Sequence, residues 1–123
     1  MYTQLQLRDS DRPPVNVATL GRMKAQGEKI ASLTCYDASF AAVVDESGTD
    51  VVLVGDSLGM VIQGYDTTVP VTLNDVIYHC KAVNRGLYRP FLMADMPFMT
   101  YASREQALDN AVRIDTVPTL GQW

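Results

Sequence analysis

The chain has 123 residues, 47% of them hydrophobic and 20% charged, with a formal net charge of −4. That is chain enough for one core and too little for two ordinary domains, with a globular rather than a disordered composition. A dispersed acidic excess excludes a nucleic-acid partner, which needs clustered Lys and Arg, and no apolar run approaches the roughly 18 residues that span a bilayer.

The amino terminus, MYTQLQLRDSDRPP, has no basic segment leading into an apolar one, and its Arg8 and Arg12 alternate with Asp9 and Asp11. It therefore reads as neither a secretory nor a transit signal. Residues 1–14 are expected to form a flexible arm ending in Pro13-Pro14. Cys35 and Cys80 lack metal-type spacing, so reduced thiols and a cytoplasmic location are the default expectation.

Asn16 is placed to cap a helix carrying Val17, Leu20 and Met23, stopped near Gly27. KIASLTCYD, residues 29–37, reads as a buried strand. Phe40, Val43 and Val44 then fall at helical spacing before Gly48, a natural C-cap glycine. A second strand, VVLVGD, covers 51–56, followed over 57–71 by a loop of about 15 residues with Gly59, Gly64 and Pro70.

Thr72 with Asp75 forms a near capping box for a helix whose apolar face holds Leu73, Val76, Ile77, Cys80 and Val83. FLMAD, 91–95, is the third strand, and Ser103 with Gln106 opens a last helix with Ala107, Leu108, Ala111 and Val112 as its expected buried stripe. One helix followed by three strand–helix units predicts an α/β fold with a parallel sheet. Residues 115–123, DTVPTLGQW, break the pattern through Pro118, so the chain reads as cut short, with an open sheet edge.

Two acids stand out, because each ends a short apolar strand. Asp56 closes VVLVGD and Asp95 closes FLMAD. Strand C-termini are where α/β enzymes aim polar groups at a ligand. On adjacent strands the two carboxylates would lie on the order of 5 Å apart, a repulsive pair that a divalent cation or shared proton relieves. Oxygen ligands from few residues suit Mg²⁺. The competing reading, that each Asp caps the following turn, stands level with this one on spacing alone.

The remaining candidates carry weaker signals. Ser57 is either a pocket hydroxyl beside Asp56 or a turn serine. Gly55, Gly59 and Gly64 match neither GxGxxG nor GxxxxGK[ST], and no Lys or Arg lies between 51 and 80, which rejects nucleotide binding. GDSLG does not match the GxSxG elbow. His79 reads as a partly exposed helix residue rather than a ligand, and Asp37 as an N-cap. Phe98, Met99 and Tyr101 read as core.

The segments GEKIASLTCYDASFA, VVLVGDSLGMVIQGYDTTVPVTLNDVIYHCKAV and FLMADMPFMTYASREQALDNA resemble the amino-terminal part of the ketopantoate hydroxymethyltransferase family over about residues 17–113. The resemblance implies a (β/α)₈ TIM barrel of roughly 250 residues, of which this chain covers about the first three βα units. It places the barrel portion at 15–114 and a divergent tail at 115–123. It implies a cytoplasmic homo-oligomer that uses Mg²⁺ and 5,10-methylenetetrahydrofolate on 3-methyl-2-oxobutanoate. Asp56 and Asp95 become metal-site acids, and Asp56, Ser57 and Asp95 contacts to the keto acid, with Tyr36 a weaker pocket-wall candidate. The family's lysine contact, further metal-site glutamate and general base are expected beyond Arg113. No catalytic residue is therefore assigned, and the chain by itself is expected to be inactive.

Overall fold

A computed structural model describes residues 13–116, so residues 1–12 of the expected 1–14 arm and residues 117–123 of the expected 115–123 tail lie outside the described residues. The first element, α1, spans Val17–Ala25 and starts at Asn16, whose side chain accepts from the Thr19 N–H while Thr19 accepts from the Asn16 N–H. Its end is marked by Gly27 at φ +72°, a left-handed conformation that glycine adopts without Cβ strain. No residue of α1 is buried.

Strand β1 is Ser32–Thr34. It is shorter than the expected run and not buried, for all three residues are exposed. The physical reason is position: β1 is an outer strand of the sheet, and Leu33 remains 50% exposed. Helix α2, Ala38–Glu46, begins at Asp37, which accepts from the Phe40 N–H at 2.7 Å. Its buried residues are Ala41, Ala42 and Asp45, whereas Phe40 and Val43 face outward. Small residues win that face because the next long helix lies so close that a Cβ at residue 86, where Gly86 has none, would strike the Ala38 carbonyl and the Ala41 methyl.

Strand β2, Val51–Val54, is the center of the sheet and the best-buried strand. The expected long loop contains a single-turn helix, α3, Leu58–Val61, with Leu58 and Gly59 buried. Helix α4, Leu73–Gly86, carries the expected Thr72–Asp75 capping box and buries Leu73, Val76, Cys80 and Val83. Strand β3 is Phe91–Ala94 and α5 is Arg104–Asp115, capped by Ser103. The stripe expected on α5 is not buried: Leu108 and Val112 are 68% and 64% exposed, and Ile114 is its one buried residue. Helix α5 lies at the outer side of β3, so nothing described covers that stripe.

The sheet has order β1-β2-β3 and is parallel throughout, with Leu33, Val52 and Leu92 in one row and Thr34, Leu53 and Met93 in the next. Alternation sends these rows to opposite faces. The helix-covered face packs Val52, Val54 and Leu92 against Leu58, Val71, Val76, Cys80 and Val83. Each such side chain stabilizes the fold by roughly 1.5–3 kcal/mol. On the opposite face Met93 is 44% exposed.

The N-terminal end of the sheet is tied by charge. Asp50 accepts from the Ala31 N–H at 3.0 Å and pairs with Arg89 at 3.0 Å. Arg89 also donates to the Thr49 carbonyl at 3.1 Å, and Asp45 accepts from the N–H groups of Tyr88 and Arg89. Among the described residues no helix is long and apolar enough to cross a membrane.

Candidate functional site

The opposite, C-terminal end of the sheet gathers the acids. Val54 and Ala94 are register partners, so the next residues, Gly55 and Asp95, come abreast. The Asp95 N–H extends the ladder to the Val54 carbonyl at 3.2 Å, and the Asp56 N–H donates to Asp95 Oδ1 at 3.2 Å. A Cβ on residue 55 would lie 2.9 Å from Asp95 Oδ2. A side chain at 55 would have to displace the Asp95 carboxylate, which fills the space beside Gly55.

Gly55, Gly59 and Gly64 do not share one role. Only Gly64 adopts a positive φ, +80°; Gly55 and Gly59 are hemmed in by Asp95 and Val71. The loop around them is a packed turn, anchored by Leu58 and Val71 in the core.

Electrostatically the pair is unbalanced. Partial burial, and then the Asp56 charge, push the Asp95 carboxyl above the usual carboxylate range, while the Asp56 N–H pulls it partly back. A carboxyl raised in the fold opposes folding once ionized, and a bound cation removes that opposition. Cys80 lies beneath the site, its thiol pushed up to about 12 by burial and then by the charge of Asp95. Burial likewise raises Cys35 at the end of β1. Both thiols are protonated at neutral pH and offer no ligand.

Ser57 follows Asp56 and opens α3. Its Oγ is hydrogen-bonded to the Tyr36 hydroxyl, which reaches across from the end of β1. Tyr36 in turn is held at its backbone, where its carbonyl accepts from His79 Nδ1 at 2.7 Å. The sequence expectation missed this role of His79, and with 43 residues between the partners no local pattern signals it. Asp37 is engaged as the α2 cap, its side chain accepting from the Phe40 N–H.

Phe98, Met99 and Tyr101 are not core but 55–59% exposed. The loop after Asp95 is organized by hydrogen bonds instead. Gln106 accepts from the Ala102 N–H at 2.7 Å and donates to the Met99 carbonyl at 2.9 Å, while Met99 takes a left-handed φ of 61°.

Among the described residues no group of three or more His, Cys, Asp and Glu is arranged to hold a metal. Two carboxylates and a hydroxyl form an all-oxygen donor set. That set suits Mg²⁺, which binds through one or two carboxylates and takes its other ligands from water and substrate, and it lacks the His and Cys donors usual in Zn²⁺ sites.

The family model described as ketopantoate hydroxymethyltransferase matches residues 14–117. Relatives named 3-methyl-2-oxobutanoate hydroxymethyltransferase are similar throughout this stretch. The protein of Nitrosococcus oceani is 55% identical over 100 residues, 81% of this chain and 38% of the relative. That of Ralstonia nicotianae is 56% identical over 108 residues, 88% of this chain and 39% of the relative. That of Alteromonas mediterranea is 57% identical over 100 residues, 81% and 38% respectively. The chain therefore spans under two-fifths of the length of these relatives. It belongs to the ketopantoate hydroxymethyltransferase family.

Proposed function

We propose, from that membership, that the chain serves hydroxymethyl transfer from 5,10-methylenetetrahydrofolate to 3-methyl-2-oxobutanoate, giving 2-dehydropantoate, and that its sheet is the start of a (β/α)₈ barrel. A cytoplasmic location belongs to the same proposal. The observation that carries it is the Asp56–Asp95 arrangement: two carboxylates at neighboring strand ends, one bonded to the backbone N–H of the other at 3.2 Å.

In this reading Asp56 and Asp95 hold Mg²⁺. The bound ion supplies Lewis acidity that makes a proton beside the keto group easier to remove. The chain's own residues then bind and orient. The Asp56 N–H fixes the Asp95 carboxylate, and Gly55 leaves it room. Ser57, steadied by Tyr36, offers a hydroxyl to the keto-acid carboxylate.

No base is assigned among the described neighbors. Burial pushes the Cys80 thiol up to about 12, the Tyr36 hydroxyl is engaged by Ser57, and His79 Nδ1 by a carbonyl. The expected behavior of the 123-residue polypeptide alone is Mg²⁺-dependent binding of 3-methyl-2-oxobutanoate without exchange of its C3 proton in D₂O. Titration calorimetry and proton NMR test both halves. Binding that ignores Mg²⁺, or persists in Asp56→Asn and Asp95→Asn, overturns the site. A wider keto-acid panel separates this substrate from those of other Mg²⁺-dependent keto-acid enzymes of the barrel superfamily.

A second reading is that the polypeptide associates with full-length subunits of a homo-oligomer. It is favored by the apolar groove between β3 and α5, where Met93, Leu92 and Ile114 line open space, and by the exposed Leu108 and Val112. Co-elution with a full-length relative tests it, and a stable monomer in its presence speaks against it.

A further inference from the structure

We propose that His79 is a positioning residue for the Ser57 side of the site. Its consequence for ligand binding rests on the keto-acid reading above, whereas its structural role stands on geometry. The β1–β2 ladder reaches Cys35, whose N–H donates to the Leu53 carbonyl at 3.1 Å. Just beyond, the Tyr36 carbonyl is taken by helix α4 through His79 Nδ1 at 2.7 Å, not by β2. At the far end of the same tyrosine, its phenol meets Ser57 Oγ. Tyr36 is thus held at its backbone by α4 and at its hydroxyl by the first residue after Asp56.

A carbonyl has only lone pairs to offer, so Nδ1 must be the donor, and neutral His79 is the Nδ1–H tautomer. The Tyr78 ring stands edge-on to the imidazole, with centroids 5.2 Å apart and planes at 82°, which restricts its rotation. The imidazole is itself half-buried on the flank of the α4 core face. Helix α4 therefore sets where β1 ends, and β1 sets where the Ser57 hydroxyl points. His79 touches neither metal nor keto acid and acts through Tyr36.

His79 is the one histidine in the sequence, so a long-range ¹H–¹⁵N spectrum of the intact chain contains a single imidazole. Recorded near pH 8.5, where an ordinary imidazole is neutral, it is expected to report the Nδ1–H form. The Nε2–H form overturns the proposal.

Two amide variants add a second test. The Asn side chain carries its N–H close to the position of Nδ1, and Gln carries it nearer Nε2, so His79→Asn restores the donor and His79→Gln does not. The ¹³Cζ resonance of Tyr36, identified by its loss in Tyr36→Phe, is expected to move in His79→Gln and to stay in His79→Asn. Mg²⁺-dependent affinity for 3-methyl-2-oxobutanoate is expected to fall about tenfold in His79→Gln and to return within about threefold in His79→Asn, the scale of one hydrogen bond.

Equal losses in the two variants, or an unmoved Tyr36 resonance in His79→Gln, overturn the positioning role. Absence of keto-acid binding by the wild-type chain overturns the functional reading instead. In that event the tautomer and the Tyr36 resonance still decide the role of His79.

Discussion

The two ends of the sheet handle acids in opposite ways. At the N-terminal end Asp50 is matched by Arg89 and by a backbone N–H, and Asp45 accepts from two N–H groups beyond α4. At the C-terminal end Asp95 faces another acid, and the Asp56 N–H offsets that repulsion only in part. One end is built for stability, and the other keeps an electrostatic deficit that a bound cation would make good. Parallel α/β sheets divide labor in this sense, with ligands at strand C-termini and stabilizing contacts at the other end.

The largest test of that contrast is Asp50→Ala, which strands the half-buried Arg89. It is expected to lower unfolding free energy by about 3 kcal/mol in urea titration while leaving the Mg²⁺-induced shift of the remaining folded population intact. An equally large loss from Asp95→Asn breaks the comparison. Next in size is Gly55→Ala, whose new methyl collides with the Asp95 carboxylate. It is expected to cost about 2 kcal/mol and, unlike Asp50→Ala, to abolish the Mg²⁺ response.

Mg²⁺ itself is expected to stabilize the wild-type chain by about 1.4 kcal/mol at tenfold excess over its Kd, and not at all in Asp95→Asn. In metal-free buffer that variant is expected to melt slightly higher than wild type, by no more than about 3 °C, because the repulsion is gone. The smallest effect is with pH. The folded Asp95 carboxyl is raised above its ordinary value of 3.8, so the fold binds the proton more tightly than the unfolded chain. Its contribution is present below that value and fades as pH rises through the raised one. Metal-free stability is therefore expected to carry a small increment under acid conditions, absent in Asp95→Asn, and Mg²⁺ is expected to relieve the corresponding deficit at neutral pH.

Local sequence signals carried most of the architecture. The caps at Asn16, Asp37, Thr72 and Ser103 all form, because a cap depends on residues three apart. Strand order and direction also follow from the βα alternation. Burial was harder to foresee. Phe40, Leu108 and Phe98 looked like core because they are large and apolar, yet which face a helix buries depends on what lies across from it. At α2 that neighbor is Gly86, and close approach favors alanine.

The site divides along the same line. Asp56, Ser57 and Asp95 were visible as strand-end polar residues, and the fold brings them together with Tyr36. The reason for Gly55 and the tie from His79 were not visible, since both depend on partners about 40 residues away in sequence.

The buried thiols have a use outside the chemistry of the site. Cys35 ends β1 and Cys80 sits mid-helix in α4, both inaccessible and both held in the unreactive protonated form. Alkylation of either therefore waits for the protein to open at that spot, and its rate is a clock for the opening. The two cysteines read different hinges: one reports peeling of the outer strand from β2, the other reports lifting of α4 from the sheet. If α4 holds the end of β1 through His79, the two clocks run together in the wild type and drift apart when that tie is cut.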